Sequence, residues 1–418
     1  MPRFLLPLIL IILGEYYGFV AVRAGLKNFS PSLRTGLFVL YIALTLLTWS
    51  GFFLFRKLNW AAMPHLVRNL YVAFTFGFLV AKVVIAAVFL IDELRRIILW
   101  VISLFFVGGD TARADGATSG IPRSTFLRQT ALVLGGLVLG GFLYGTSNRY
   151  SYRVRRLRLR FSNLPESFHG MRAVQISDIH SGSFDSHDAV RHGVEKILQE
   201  KPDIIFFTGD LVNNKSDEVD GYQEIFARLK APMGVYSTLG NHDYGDYVEW
   251  PSPSAKIANL DRLKGIHGAM GWRLLMNEHV LLERNGEKIA IVGIENWGAK
   301  ANFPKYGRMD LATAGLQETG APFKILLSHD PSHWDAEVRP QYPDMDLTLS
   351  GHTHGMQFGI DIPWLKWSPV QYIYKQWAGL YQEGRQFLHV NRGFGFLGYP
   401  GRLGIMPEIT VIELERGA

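Results

Sequence analysis

Two kinds of hydrophobic pattern divide this chain. Over the first third, apolar residues come in long unbroken runs: residues 4–22 (FLLPLILIILGEYYGFVAV), 36–55 and 70–91. A bilayer core about 30 Å thick takes roughly 20 apolar helical residues, so each run is long enough to cross as a helix. Residues 130–146 form a shorter, glycine-rich run. Residues 97–109 (IILWVISLFFVGG) fall below the crossing length and either span or lie in the interface, so four or five spans are expected. Few charges and no matching amphipathic partners accompany these runs, which argues against buried core helices. Glu15 in the first span is costly in lipid and is expected to face protein or the interface. Residues 108–122 (GGDTARADGATSGIP) read as a flexible loop.

Beyond about residue 149 the apolar runs become short. Strand-like segments recur at 173–177, 203–208, 234–239, 288–294, 323–328, 345–350, 386–391 and 408–414, and helical patterns at 187–201 and 218–230 separate the early ones. The alternation predicts an α/β domain. The organisation is therefore a transmembrane helical region over 1–148 and a second domain over 149–418. RVRRLRLRF, residues 153–161, alternates with period two and reads as an exposed strand of that second domain.

Five of these segments end in polar motifs: Asp178-Ile-His180, Gly209-Asp210, Gly240-Asn241-His242-Asp243, Ser328-His329-Asp330 and Gly351-His352-Thr353-His354. Singly, each is a cap or a turn. Together, carboxylate, amide and imidazole donors at strand ends point to a divalent metal site, and the absence of cysteine excludes thiolate ligation. Two ions sharing one carboxylate suit in-line displacement at phosphorus.

The order of these motifs, over about residues 171–414, resembles the calcineurin-like metallophosphoesterase family, and in particular its membrane-associated bacterial members. The resemblance implies two packed β-sheets flanked by helices, preceded here by the transmembrane region. It implies two divalent ions (Mn, Fe or Zn), with Asp178, His180 and His354 at the first, Asn241, His329 and His352 at the second, and Asp210 bridging. His242 would face the substrate to stabilise phosphoryl charge or protonate the leaving oxygen, and Asp243 would orient it. A bridging hydroxide would attack a phosphomono- or phosphodiester. The alternative is a non-catalytic membrane protein that keeps the fold as a metal- or phosphate-binding module.

Other H-x-H hydrolases fit less well. A metallo-β-lactamase-like site needs an acidic residue and a further His after the pair, but Gly355, Met356 and Gln357 follow. Amidohydrolase barrels carry the pair on their first strand. Relatives commonly read G-H-T-H-G-G-Q, so Met356 is a departure that bears on substrate fit more than on metal binding. His187, His192, His267, His333 and His389 read as surface or satisfied core residues. Residues 361–381, dense in Trp and Tyr, form an aromatic wall, a membrane-facing rim or a cover for a sheet edge. Arg392 would meet a phosphate oxygen or make a surface salt bridge.

The net charge of +6 is unevenly spread: residues 1–161 hold 19 Lys and Arg against 5 Asp and Glu, residues 162–418 hold 24 against 32. The basic excess suits loops at anionic lipid, and the acidic domain argues against nucleic acid as a partner. A phosphoester substrate fits a membrane tether, with lipid-linked and envelope phosphoesters among the expected classes. Arg123-Ser-Thr-Phe-Leu-Arg128 resembles a twin-arginine signal lacking its second arginine. A multi-pass plasma-membrane protein with an extracytoplasmic catalytic domain is expected; oligomeric state is not legible.

Overall fold

The long apolar runs form four helices in the computed structural model, which describes residues 2–54, 63–105, 123–300, 303 and 305–417. These are α1 (Pro2–Gly25), α2 (Pro31–Leu54), α3 (His65–Phe105) and α4 (Arg123–Gly145), all long and apolar enough to cross a membrane. The runs at 70–91 and 97–105 belong to one helix of 41 residues. The charged stretch between them does not break it, because Asp92 pairs with Arg95 at 3.1 Å and Arg96 at 2.9 Å, the i+3 and i+4 neighbours on one helical face. Among the described residues the count is thus four. Arg123–Arg128 lies in the first turns of α4, while the loop expected over 108–122 lies outside the described residues.

Glu15 faces protein. Its carboxylate meets Lys82 Nζ at 2.7 Å and accepts from Trp49 Nε1 at 3.0 Å, and Lys82 also donates to Thr45 Oγ1 at 3.1 Å. A charge in a bilayer is tolerated where a partner on another helix neutralises it.

The chain divides into two compact units, Met1–Thr146 and Ser147–Ala418. In the second, one six-stranded sheet has the order β1 (Arg153–Phe161), β14 (Glu408–Arg416), β2 (Met171–Ile176), β3 (Ile204–Thr208), β4 (Val235–Thr238), β5 (Arg273–Leu274). The other runs β12 (Gly379–Glu383), β13 (Gln386–Val390), β9 (Leu347–Ser350), β8 (Lys324–Leu327), β7 (Glu287–Gly293), β6 (Glu278–Arg284). A separate hairpin joins β10 (Ile360–Ile362) to β11 (Leu365–Trp367).

Strand alternation builds three layers of core. On β3, Ile204 and Phe206 enter the cluster between the sheets, with Ile289, Ile291, Ile325 and Leu327 of the other sheet. Ile205 and Phe207 point outward, onto α5 (His187–Gln199) and the helix Pro253–Ala269. Ala290, Val292 and Leu326 cover the far side of the second sheet with Trp334 and Met309. Burial on both faces explains why these strands read as continuous apolar runs.

The helix expected over 218–230 breaks into turns at Ser216–Val219 and Gln223–Phe226. The Glu218 carboxylate turns back to accept from the backbone N–H groups of Asn213, Asn214 and Lys215, capping the first turn and ending the pattern at Gly221.

Candidate metal centre

The parallel strands of both sheets deliver their polar motifs at their carboxyl ends, the usual place for a site in such sheets. Asp178 and His180 follow β2, Asp210 follows β3, Asn241 and His242 follow β4, His329 follows β8, and His352 and His354 follow β9. Two groups of donor atoms result: Asp178, His180 and His354 in one, and Asp210, His329 and His352 in the other.

The backbone is strained to bring them there. Asp178, His180, Asp210, His352 and His354 have φ of 53°, 49°, 60°, 70° and 50°. Left-handed conformation at such positions costs on the order of 1–3 kcal/mol each, and the surrounding fold must over-determine it. The motif glycines make room. A Cβ on Gly240 would sit 2.2 Å from Asp210 Oδ1, and one on Gly351 would sit 1.9 Å from Ser177 Oγ and 2.2 Å from Asp178 Oδ2.

Asp210 lies at the middle, its Oδ2 3.1 Å from His329 Nε2 and 3.5 Å from His180 Nε2. His354 Nε2 is 3.3 Å from Asp178 Oδ1, and Asn241 Oδ1 is 2.8 Å from His352 Nδ1. His180 Nε2, His329 Nε2 and His354 Nε2 are buried without a hydrogen-bond partner. Three orphaned imidazole nitrogens beside two carboxylates fit divalent cations, which would take up the unused lone pairs.

Supporting contacts hold the rings in place. His329 Nδ1–H donates to the Thr208 carbonyl at 2.7 Å, which turns Nε2 toward Asp210. His352 Nε2 meets the Tyr374 hydroxyl at 2.8 Å, and that hydroxyl lies 3.4 Å from Asp330 Oδ2, while Nδ1 meets Asn241 Oδ1. Asn241 Nδ2 donates to the Tyr247 hydroxyl at 2.8 Å, turning its oxygen the other way. Arg402, wholly buried, lies 3.3 Å from His354 Nδ1 and donates to the carbonyls of Arg392, Gly393 and Gly395.

His242 is half-buried at the edge of this group. Its Nδ1–H donates to the Asn213 carbonyl at 2.7 Å, not to Asp243. The Asp243 carboxylate is spent on the backbone amides of Asp210 (2.9 Å), Leu211 (2.8 Å), Val212 (3.2 Å) and Gly240 (2.8 Å). The orientation expected from Asp243 thus comes from Asn213. The physical reason is that residue 243 turns into the loop after β3, where unpaired amides outcompete a ring already served by a carbonyl.

Burial pushes the carboxyl of Asp178 up to about 6 and that of Asp243 up to about 7. Burial acts on Asp210 in the same sense, but His329, which Asp210 raises to about 10 against the effect of burial, and His242 outweigh it and hold its carboxyl well below the usual range. Burial lowers His180 to about 3 and His352 to about 4, which keeps both rings in the neutral, ligating form.

Arg392 is neither free for phosphate nor on the surface. It is buried between Glu408 and Asp361, with Nε 3.1 Å from Asp361 Oδ2. Buried Nδ1 atoms of His267, His333 and His389 are paired with Ser237, Ser328 and Gln175, while His187 and His192 are exposed. Tyr247, Asn213 and Arg402 were not legible as site residues, since single aromatic, amide and basic residues at those spacings carry no signature; Tyr374 lay within the aromatic stretch 361–381, and Asp330 was visible only as the tail of its motif.

A family model described as "Calcineurin-like phosphoesterase" matches residues 171–356, and one described as "Probable Calcineurin-like phosphoesterase, transmembrane domain" matches residues 1–149. The chain is 30% identical over 267 residues to an uncharacterized metallophosphoesterase, YkuE, of Bacillus subtilis, covering 62% of this chain and 83% of that one. It is 30% identical over 333 residues to a transmembrane protein with metallophosphoesterase domain of Danio rerio, covering 76% and 71%. It is also 29% identical over 284 residues to the UDP-2,3-diacylglucosamine pyrophosphatase LpxG of Chlamydia trachomatis, covering 56% and 81%.

Proposed function

The chain belongs to the calcineurin-like metallophosphoesterases, as a membrane member and a phosphoester hydrolase, and on that premise we propose a dinuclear centre acting on a phosphoester at the membrane surface. The observation that carries the reading is the set of orphaned ring nitrogens facing Asp210 and Asp178. Asp178, His180 and His354 would hold one ion, Asn241, His329 and His352 the other, and Asp210 both. Bound Mn, Fe or Zn would supply Lewis acidity toward a phosphoryl oxygen and make water nucleophilic at neutral pH.

The chain's own groups do the rest. His242, fixed through Nδ1–H by Asn213, keeps Nε2 for the substrate; as the imidazolium it gives the Nε2 proton to the leaving oxygen while a water oxygen takes that oxygen's place on phosphorus, and the ring is left neutral with its proton on Nδ1. Asp243 holds the turn that carries Asp210, and is a positioning residue. Of the comparisons, LpxG, named as a UDP-2,3-diacylglucosamine pyrophosphatase, supports a lipid-linked phosphoester or phosphoanhydride as the substrate class.

Four spans put the catalytic unit on the same face as the segment before α1. The Arg123–Arg128 stretch at the start of α4, similar to an export signal, supports an extracytoplasmic catalytic unit in the plasma membrane.

The test is direct. Full-length protein stripped of metal and reloaded with Mn, Zn or Fe is offered chromogenic phosphomono- and phosphodiesters. Metal-dependent turnover is expected, with a stoichiometry of two ions; folded protein that turns over neither ester with any ion would sink the reading.

A further inference from the structure

The hairpin β10–β11 is built inside out. Cross-strand partners share a face, so Ile360, Ile362, Leu365 and Trp367 lie on one side and the opposed pair Asp361 and Lys366 on the other. The charged side faces the catalytic unit: Asp361 takes Arg155 and Arg392, and Lys366 donates to the Ala378 carbonyl beneath the rings of Trp377 and Tyr381. The apolar side faces out, with Ile360, Ile362 and Leu365 each about two-fifths exposed or more and Trp364, in the turn, 82% exposed. An antiparallel hairpin on a solvated surface does the opposite. Close in the chain, Tyr372 is 77% exposed, Ile373 is exposed beside it, and Lys375 follows. Between these, Tyr374 turns inward to His352.

We propose that this face docks on the lipid bilayer, so that the metal centre beside it works on phosphoesters held in the membrane. The claim deepens the function proposed above and rests on it for the substrate, though not for the docking. Three observations select the bilayer as the occupant. The same chain carries four helices suited to crossing it, and only seven residues, 146–152, separate the end of α4 from β1, at most about 25 Å of extended chain. Trp and Tyr with aliphatic neighbours match the chemistry of the membrane–water boundary. Lys375 adds a cation beside Tyr372 and Ile373, suited to anionic head groups. Fastening the hairpin through buried ion pairs keeps the apolar side outward and spares it from collapsing onto the core.

The chain has no cysteine, so single thiols report cleanly. Full-length Ile362→Cys, and Glu283→Cys on an exposed position of β6 as control, are labelled with an environment-sensitive fluorophore and reconstituted in phosphatidylcholine–phosphatidylglycerol vesicles carrying doxyl lipids. Quenching at 362 is expected to exceed that at 283 by about twofold or more. Equal quenching overturns the proposal, as does shielding at 362 that follows the protein-to-lipid ratio, which would mark a second copy of the chain. In a kinetic arm, Trp364→Asp is expected to lower turnover of a vesicle-held chromogenic phosphodiester about tenfold and leave a water-soluble one unchanged. Equal loss on both esters overturns it. If the parent chain turns over neither ester, the hydrolase reading fails while the quenching result still decides the docking.

Discussion

The Asp243 carboxylate accepts the backbone N–H of Asp210 at 2.9 Å, and the Asp210 carboxylate accepts the backbone N–H of His242 at 2.8 Å. Two loops from neighbouring strands are thus clasped through carboxylates in both directions. Asp243→Asn keeps the shape but replaces one acceptor oxygen by a donor facing amide N–H groups. Metal affinity is expected to fall about 10–100-fold, the usual cost of losing a supporting contact, and metal titration followed by elemental analysis checks it.

His242 and Asp210 separate chemistry from metal retention. His242→Ala is expected to keep its metal and lose about 10²–10⁴-fold in kcat, the range for a proton-transferring side chain. Asp210→Ala is expected to lose both. Full activity in His242→Ala would refute its assigned role.

Tyr374 holds the His352 ring through a 2.8 Å contact at Nε2. Removing only the hydroxyl, in Tyr374→Phe, leaves Nε2 of that ring without its partner and the ring less firmly oriented. Weaker metal binding by about tenfold is expected, with kcat at saturating metal changed little.

Glu408 makes an acid-sensitive brace. Burial would raise its carboxyl, but Arg392, His389 and Arg155 outweigh burial and hold it at about 2, below the ordinary 4.5. A depressed carboxyl stabilises the fold above its unfolded value and loses that contribution as pH falls from about 4.5 through 2. Glu408→Gln is expected to destabilise the catalytic unit at neutral pH by about 3 kcal/mol and to flatten its stability in the acid window. Denaturant unfolding followed by tryptophan fluorescence at several pH values measures both.

In the membrane unit, Lys82→Met leaves Glu15 without its 2.7 Å partner. The detergent-solubilised chain is expected to unfold at lower temperature, and Glu15→Gln combined with Lys82→Met to recover much of the loss, because a neutral pair needs no counter-charge. A thermal melt of both variants decides it.

The sequence alone determined what local pattern can carry. Apolar runs longer than a bilayer is thick announced α1, α2 and α3, and strands buried on both faces, such as Ile204–Thr208, appeared as continuous hydrophobic stretches. Donor residue types at five strand ends announced metal chemistry. Edge strands such as Glu278–Arg284, and the helix Pro253–Ala269 with little amphipathic contrast, gave no such signal. Tertiary structure decided which donors meet and which groups serve them. Arg392 lost its phosphate to Glu408 and Asp361, and Asp243 turned from His242 to four amides, because partners distant in sequence fill the available directions first. The outward apolar side of Ile360–Trp367 likewise depended on where Arg155 and Arg392 stand, since alternation names two faces and only packing selects the inner one.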